Sequence, residues 1–248
     1  MNTSSTPRLA LVLHGGGGPF TVASIAAHLD GLRTPDGSPA YRTFAPTLPG
    51  WNSTERPESI TQVSDLTALY LEFLIANDLR DVLVVGSSLG GWIAADLASR
   101  DTEGRIGAIV LIDPVGIEAP GQPIRDFFAL DARGVAEYAW HDADRFYVDP
   151  ATVPPAQQAA QRSNMATMAA LTPGGMFDPT LLARLADITV PALVLWGASD
   201  RIVTPEYGAV FAAAIPDARL TVIPDAGHLP HLEQPAPTFA ALDAFLTP

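Results

Sequence analysis

The chain has 248 residues, 48% of them hydrophobic and 17% charged, so it is long and apolar enough to fold around a substantial core. A formal net charge of −13 opposes binding to a nucleic-acid backbone, and we expect no nucleic-acid partner. Cysteine and lysine are both absent, which excludes disulfides, thiolate nucleophiles and Schiff-base chemistry.

Targeting and membrane signals are not evident in the sequence. No apolar run approaches the roughly 20 residues that a membrane-spanning helix needs. Residues 1–8 are too short and too polar to form a secretory signal before the first predicted strand. We therefore expect a cytoplasmic protein without a membrane partner.

Six short strand-like runs recur along the chain, separated by longer amphipathic stretches. The runs cover residues 9–13, 41–45, 82–85, 108–112, 192–196 and 220–223. Most are apolar almost throughout, which is typical of parallel strands covered on both faces, whereas the more polar run 41–45 favours a sheet edge. Helices are predicted over residues 60–77, 93–99, 207–214 and 236–246. This alternation predicts an α/β fold, a doubly wound and mostly parallel sheet with helices on both faces.

Residues 114–185 interrupt the alternation, and we call them the insertion. They contain no clear strand, but many prolines and several aromatic residues. A structureless loop of that length is improbable inside a compact domain, so we expect a helical segment that lies over the sheet. The prediction is a single domain over residues 1–248, with a core formed by residues 1–113 and 186–248.

A G-x-S-x-G sequence follows the third predicted strand, where residues 86–91 read GSSLGG. Between a strand and a helix, this pattern favours Ser88 as a nucleophile held in a strained turn. Leu89 can offer its backbone N–H to an oxyanion at the start of the helix. Ser87 is a neighbouring alternative, but its spacing to the glycines does not fit the turn.

Candidate acids and bases follow at later strand ends. Asp200 comes just after the fifth predicted strand and can orient an imidazole, while Asp113 at the end of the fourth strand is a rival acid. His228 lies beside a glycine after the last strand and can act as a general base, and His231 is also available. Nucleophile, acid and histidine then occur in an order that Ser–Asp–His triads use.

Four consecutive glycines, residues 15–18, follow His14 at the end of the first predicted strand. Such a run lets backbone N–H groups face a substrate, so Gly16 or Gly17 would supply a second oxyanion donor. The run lacks the Gly-Lys-Ser/Thr of a P-loop and does not have the G-x-G-x-x-G spacing, so the sequence does not favour a phosphate-binding loop here. The five histidines show no metal-ligand spacing beyond a weak H-x-x-H, so we expect neither a metal nor a cofactor.

These motifs together resemble the α/β-hydrolase fold superfamily over most of the chain outside the insertion. The most specific are HGGG at residues 14–17, GSSLGG at 86–91, WGASD at 196–200 and GHLP at 227–230. The resemblance implies that Ser88 is the nucleophile, His228 the base and Asp200 the acid. It further implies an oxyanion hole formed by Gly16, Gly17 and Leu89.

The resemblance also carries expectations for the sheet and the substrate pocket. Because the antiparallel strand pair that usually opens such folds is missing, we expect six strands in the order 2-1-3-4-5-6. The insertion would form a lid. Six side chains would shape the pocket: Trp51, Phe127, Phe128, Trp140, Met165 and Met168.

The resulting hypothesis is a serine hydrolase that cleaves a small ester through an acyl-enzyme. Hydrolysis of carbon–carbon bonds in diketone-like substrates uses the same triad and remains an alternative. A ligand-binding receptor or a hydroxynitrile-lyase-like protein on the same fold is a further alternative. Such lyases use a lysine near the catalytic histidine, and this chain has none.

Overall fold

A computed structural model describes residues 6–247 of the chain. Its six strands form one sheet in the order β2-β1-β3-β4-β5-β6, and all neighbouring strands are parallel. The predicted doubly wound sheet is therefore confirmed, including the position of the polar strand β2 at an edge. The strands are β1 (Arg8–Leu13), β2 (Tyr41–Phe44), β3 (Val82–Ser87), β4 (Ile106–Ile112), β5 (Ala192–Gly197) and β6 (Ala218–Ile223).

Helices cover both faces of this sheet. In chain order they are α1 (Ala23–Gly31), α2 (Val63–Ala76), α3 (Leu89–Arg100), α4 (Ala132–Ala139), α5 (Ala143–Phe146), α6 (Pro155–Leu171), α7 (Leu181–Arg184), α8 (Pro205–Ala213), α9 (Pro230–Glu233) and α10 (Pro235–Leu246). Within residues 6–247, none of them has both the length and the apolarity required to cross a bilayer. Of the N-terminal segment discussed above, residues 1–8, the first five lie outside the described residues.

Alternate residues of β1 show how the sheet separates two apolar layers. Leu9, Leu11 and Leu13 pack in one buried cluster with side chains of α2, α3 and α8. Ala10 and Val12 pack in a second cluster with side chains of α1 and α10. Successive side chains of a strand point to opposite faces, so a sheet covered on both faces must be apolar at every position.

The insertion contains helices α4 to α7, joined by turns and short 3₁₀ segments such as Phe127–Ala129 and Pro150–Thr152. Its side chains between residues 127 and 168 meet the loops that follow β1, β3 and β6 around one cavity. Parallel sheets place ligands at the carboxyl ends of their strands. The cavity therefore lies where the sequence motifs converge.

Candidate active site

Ser88 occupies the turn between β3 and α3 in a strained conformation, with φ 56° and ψ −118°. A non-glycine residue in a sparsely populated region costs about 1–3 kcal/mol, and such strain persists only where the surroundings enforce it. A Cβ on Gly86 would collide with the carbonyl of Gly90, and one on Gly90 with the carbonyl of Leu13. The two glycines thus allow strand and helix to cross closely, and the turn presents Ser88 to the cavity.

A chain of hydrogen bonds joins Ser88 to two other predicted residues. His228 Nε2 lies 2.9 Å from the Ser88 hydroxyl, and His228 Nδ1 lies 2.7 Å from Asp200 Oδ2. The second carboxylate oxygen of Asp200 accepts the backbone N–H groups of Ile202 at 2.8 Å and Val203 at 3.2 Å. With Asp200 as the acceptor, Nδ1 carries the imidazole proton and Nε2 is free to accept the serine proton.

Asp113, the rival acid, is fully buried and makes no hydrogen bond to His228 within the described chain. Its Oδ1 accepts the Gly197 N–H at 2.9 Å. Burial and the negative charge of Asp200 raise the pKa of Asp113 well above its ordinary value. A neutral carboxyl group cannot balance the charge of an imidazolium, so the geometry favours Asp200 in that role.

Asp113, Asp200 and His228 also each place one possible metal-binding atom within 4.8 Å of the other two. Both ring nitrogens of His228 already have partners, Nδ1 in Asp200 Oδ2 at 2.7 Å and Nε2 in the Ser88 hydroxyl at 2.9 Å. Burial favours the neutral form of Asp113, which is a poor ligand for a hard cation. A cation bound to His228 would therefore have to displace one of these two hydrogen bonds.

His231, the alternative base, lies away from Ser88. Its ring is buried and its Nε2 donates to the carbonyl of Thr21 at 2.6 Å. Burial, aided by the nearby His228 and opposed by the hydrogen bond to Thr21, lowers the pKa of His231 to about 4. His231 therefore anchors the loop of His228 as a neutral ring.

We expect the stabilising effect of His231 to depend on pH. As pH falls from 6.5 to about 4, the unfolded chain binds a proton on this residue that the folded protein does not. The advantage of wild type over His231→Gln in free energy of unfolding should therefore shrink by about 2–3 kcal/mol over that range. Urea unfolding of both proteins at several pH values measures this difference in free energy of unfolding. A difference that stays constant with pH would contradict the conclusion that burial lowers the pKa of His231.

The glycine run follows β1 and faces the cavity, where Gly16 and Gly17 form part of the same wall as Ser88. Within residues 6–247, no acceptor is hydrogen-bonded to the N–H of Gly16 or Gly17. Leu89 is the first residue of α3, so its N–H has no helical carbonyl partner four residues earlier. These are the three predicted oxyanion donors, and none of the three N–H groups has an acceptor among residues 6–247 that would compete with a ligand.

His14 supports the glycine run from the protein side, a role that its sequence position did not predict. It is fully buried, and its Nε2 accepts the N–H of Leu48 at 2.9 Å while its Nδ1 donates to the Gly15 carbonyl at 2.8 Å. Burial lowers the pKa of His14 to about 4. The neutral ring is therefore a fixed bridge between the loops after β1 and β2.

The cavity beside Ser88 has a volume of about 520 Å³. Five of the six predicted substrate-binding side chains line it: Phe127, Phe128, Trp140, Met165 and Met168. Among the described residues that form its wall, none is arginine, aspartate or glutamate, and most are apolar. Such a wall suits an uncharged and largely apolar ligand.

Trp51 is the exception, and its predicted place in the pocket is wrong. The indole is fully buried, packs edge-on against the ring of His14 at 5.6 Å, and does not line the cavity. Its Nε1 donates to the Gly16 carbonyl at 3.0 Å. Trp51 therefore lies behind the glycine run and supports it from the protein interior.

Glu233 is a buried residue that sequence reasoning missed. Its carboxylate accepts the backbone N–H groups of Gly227 at 2.5 Å and His141 at 3.0 Å. The N–H of His228 in turn donates to the Ala139 carbonyl at 2.7 Å. The loop that carries His228 is thus held against the insertion, and no motif around Glu233 indicates this contact.

Comparison with known proteins agrees with this architecture. The Alpha/beta hydrolase family matches residues 10–242 of the chain. The chain is 25% identical to a 2-hydroxy-6-oxo-6-phenylhexa-2,4-dienoate hydrolase of Burkholderia cepacia, over 92% of this chain and 84% of that protein. It is also 25% identical to Lipase 3 of Moraxella sp. (strain TA144), over 94% of this chain and 75% of the lipase.

Solved structures share the fold at lower sequence identity. A thermophilic esterase from Thermogutta terrifontis superposes with a TM-score of 0.74 at 22% identity, covering 98% of this chain and 90% of that one. A meta-cleavage product hydrolase from Pseudomonas fluorescens IP01 superposes with a TM-score of 0.73 at 18% identity, covering 98% of this chain and 91% of that one. Because the family model matches the chain over nearly its whole length, the chain belongs to the alpha/beta hydrolase family.

Proposed function

We propose that this protein is a serine hydrolase that cleaves an uncharged carboxylic ester through an acyl-enzyme. The observation that carries the proposal is the hydrogen-bonded series Ser88–His228–Asp200, with a strained Ser88 in the wall of an apolar cavity. A serine hydroxyl is a weak nucleophile at neutral pH, and an adjacent base within hydrogen-bond reach activates it.

The proposed reaction has two halves. Ser88 Oγ attacks the ester carbonyl carbon while its proton passes to His228 Nε2, and Asp200 stabilises the resulting imidazolium. His228 then gives that proton to the departing alkoxide, which leaves an acyl group on Ser88. Water attacks the acyl group, His228 takes the proton of that water, and Ser88 leaves reprotonated as the carboxylic acid forms.

The oxyanion of each tetrahedral intermediate needs donors that are already in place. We propose that the N–H groups of Gly16 or Gly17 and of Leu89 supply them from opposite sides of the Ser88 turn. Donors fixed before the reaction stabilise developing charge without reorganisation, and each accounts for about 10²–10³ in rate.

Carbon–carbon bond hydrolysis is the second candidate, because one relative is a hydrolase of 2-hydroxy-6-oxo-6-phenylhexa-2,4-dienoate. That substrate carries a carboxylate, which a protein desolvates readily only next to a cation or several donors. The described wall of the cavity contains no arginine, and the chain has no lysine. The cavity therefore supports an uncharged ester better than a dienoate.

The experiment compares wild-type turnover of p-nitrophenyl acetate, p-nitrophenyl butyrate and 2-hydroxy-6-oxo-6-phenylhexa-2,4-dienoate. We expect ester turnover, with kcat/KM for butyrate above that for acetate by about tenfold, since two further methylenes enter an apolar site. The dienoate should be cleaved far more slowly than either ester. Faster turnover of the dienoate would favour carbon–carbon hydrolysis, and binding of all three without turnover would favour a receptor.

A further inference from the structure

The backbone of the glycine run is held by its carbonyl groups. In a trans peptide the C=O and the N–H of the same unit point in opposite directions, so a held carbonyl fixes where the next N–H points. The Gly15 carbonyl accepts from His14, the Gly16 carbonyl from Trp51, and the Gly17 carbonyl from Asn164. The first two carbonyls thus fix the N–H groups of Gly16 and Gly17. The third belongs to the peptide unit of the Gly18 N–H, which donates to the Gly15 carbonyl at 3.1 Å and closes the run into a turn. Of these three donors, Asn164 alone belongs to the insertion.

Asn164 lies on α6 and is only 3% exposed, although it forms part of the cavity wall. Its Nδ2 donates to the Gly17 carbonyl at 3.2 Å and to Asn52 Oδ1 at 3.3 Å, while its Oδ1 accepts the Asn52 N–H at 2.7 Å. Both amide protons are therefore engaged by the protein, which argues against a primary role in binding substrate.

Asn52 links Asn164 to the second support of the glycine run. It has a left-handed backbone, with φ 50° and ψ 37°, and directly follows Trp51, whose indole holds the Gly16 carbonyl. A left-handed backbone is unfavourable for a non-glycine residue and needs local hydrogen bonds to persist. Asn164 supplies two of them, so it restrains the glycine run directly and also through Trp51.

Further contacts of α6 reinforce this attachment. Thr167 Oγ1 donates to the Gly50 carbonyl at 2.9 Å, and the sulfur of Met168 lies so close to Gly16 that a Cβ there would collide with it. Asn164, Thr167 and Met168 are spaced three and four residues apart and so share one helix face. This face of α6 fastens the insertion to both loops beside Ser88.

We propose that Asn164 is a positioning residue that aligns the backbone N–H donors of the glycine run from within the insertion. The inference rests on the proposed acyl-enzyme function, because the donors matter only where a carbonyl oxygen gains negative charge. Asn164 then acts in the transition state by holding the turn between Gly15 and Gly18 and, through Asn52 and Trp51, the peptide unit of the Gly17 N–H. It contributes little to binding of the ground state.

The first test compares Asn164→Ala with Gln157→Ala, an exposed change on the same helix outside the cavity wall. For p-nitrophenyl butyrate, kcat of Asn164→Ala should fall about 10- to 100-fold, whereas KM should change less than about 3-fold. This fall in kcat is no larger than the fall expected when a direct oxyanion donor is removed. Affinity for an alkyl trifluoromethyl ketone, which forms a tetrahedral adduct with serine, should fall by the same factor as kcat/KM. Gln157→Ala should match wild type, and thermal unfolding of each variant establishes that it is folded.

The second variant, Asn164→Asp, separates positioning from loss of structure. A buried carboxylate has no proton for the Gly17 carbonyl, whereas the protonated acid can donate one, and burial raises the pKa of such a group. The ratio of kcat for this variant to that of wild type should therefore rise about tenfold between roughly pH 9 and pH 6. A constant ratio, or an Asn164→Ala variant that changes KM alone, would overturn the inference. An inactive wild type would instead refute the proposed function.

Discussion

Replacement of Ser88 by alanine is expected to lower kcat for p-nitrophenyl butyrate by at least about 10⁴-fold, because it removes the hydroxyl that is hydrogen-bonded to His228 Nε2 and that would form the acyl-enzyme. The strained backbone at this position is set by the crossing of β3 and α3 and not by the hydroxyl. The variant should therefore fold as wild type does. Initial rates and a thermal unfolding curve for both proteins measure these two effects.

Ser87→Ala is the matched control for this change. Ser87 precedes Ser88 and is fully buried, and its hydroxyl has no hydrogen-bond partner within the described chain. Removal of that hydroxyl leaves no group unsatisfied, so kcat should stay within about threefold of wild type. Loss of activity in Ser87→Ala together with retention in Ser88→Ala would show that Ser87, and not Ser88, is the nucleophile.

The second large effect is expected for Asp200→Asn, with a fall in kcat of about 10⁴-fold. An asparagine in this position can donate its amide proton to Nδ1, which favours the imidazole tautomer with its proton on Nε2. That tautomer cannot accept the serine proton, and the imidazolium also loses its charge partner. Steady-state kinetics on the folded variant measures the loss.

Asp113→Asn is the same change at a neighbouring buried carboxyl group. Burial and Asp200 favour the neutral form of Asp113, so an uncharged amide of similar shape should keep kcat within about threefold of wild type. The pH dependence of kcat/KM should also be unchanged. If Asp113→Asn is inactive and Asp200→Asn is not, Asp113 is the acid that serves His228.

The sheet could be predicted from sequence because each strand is buried on both faces. Runs such as residues 82–85 and 192–196 are apolar at every position, and the helices between them leave few other arrangements. Helix α1 was not predicted, since it buries only Ile25 and Leu29 and its sequence carries little apolar periodicity. Helix α3 begins at Leu89, four residues before its predicted start, because the turn glycines also belong to its first turn.

The positions of Ser88, Asp200 and His228 could be predicted because each follows a strand of a parallel sheet, and the carboxyl ends of parallel strands meet. The environment of these residues could not be predicted in the same way. Trp51 resembled a pocket residue, yet its indole points to a backbone carbonyl behind the glycine run. Asn164 carries no motif, and the role proposed for it rests on long-range contacts with Gly17 and Asn52.

The measurement that most directly tests the assignment of Ser88 as the nucleophile is labelling with a fluorophosphonate probe, followed by peptide mapping of the modified residue. We predict stoichiometric modification of wild type on Ser88 alone, at a rate that falls when p-nitrophenyl butyrate competes. Ser88→Ala should take up no probe and lose ester turnover at the same time. Folded wild type that takes up no probe, or that carries it on another residue, would contradict the assignment.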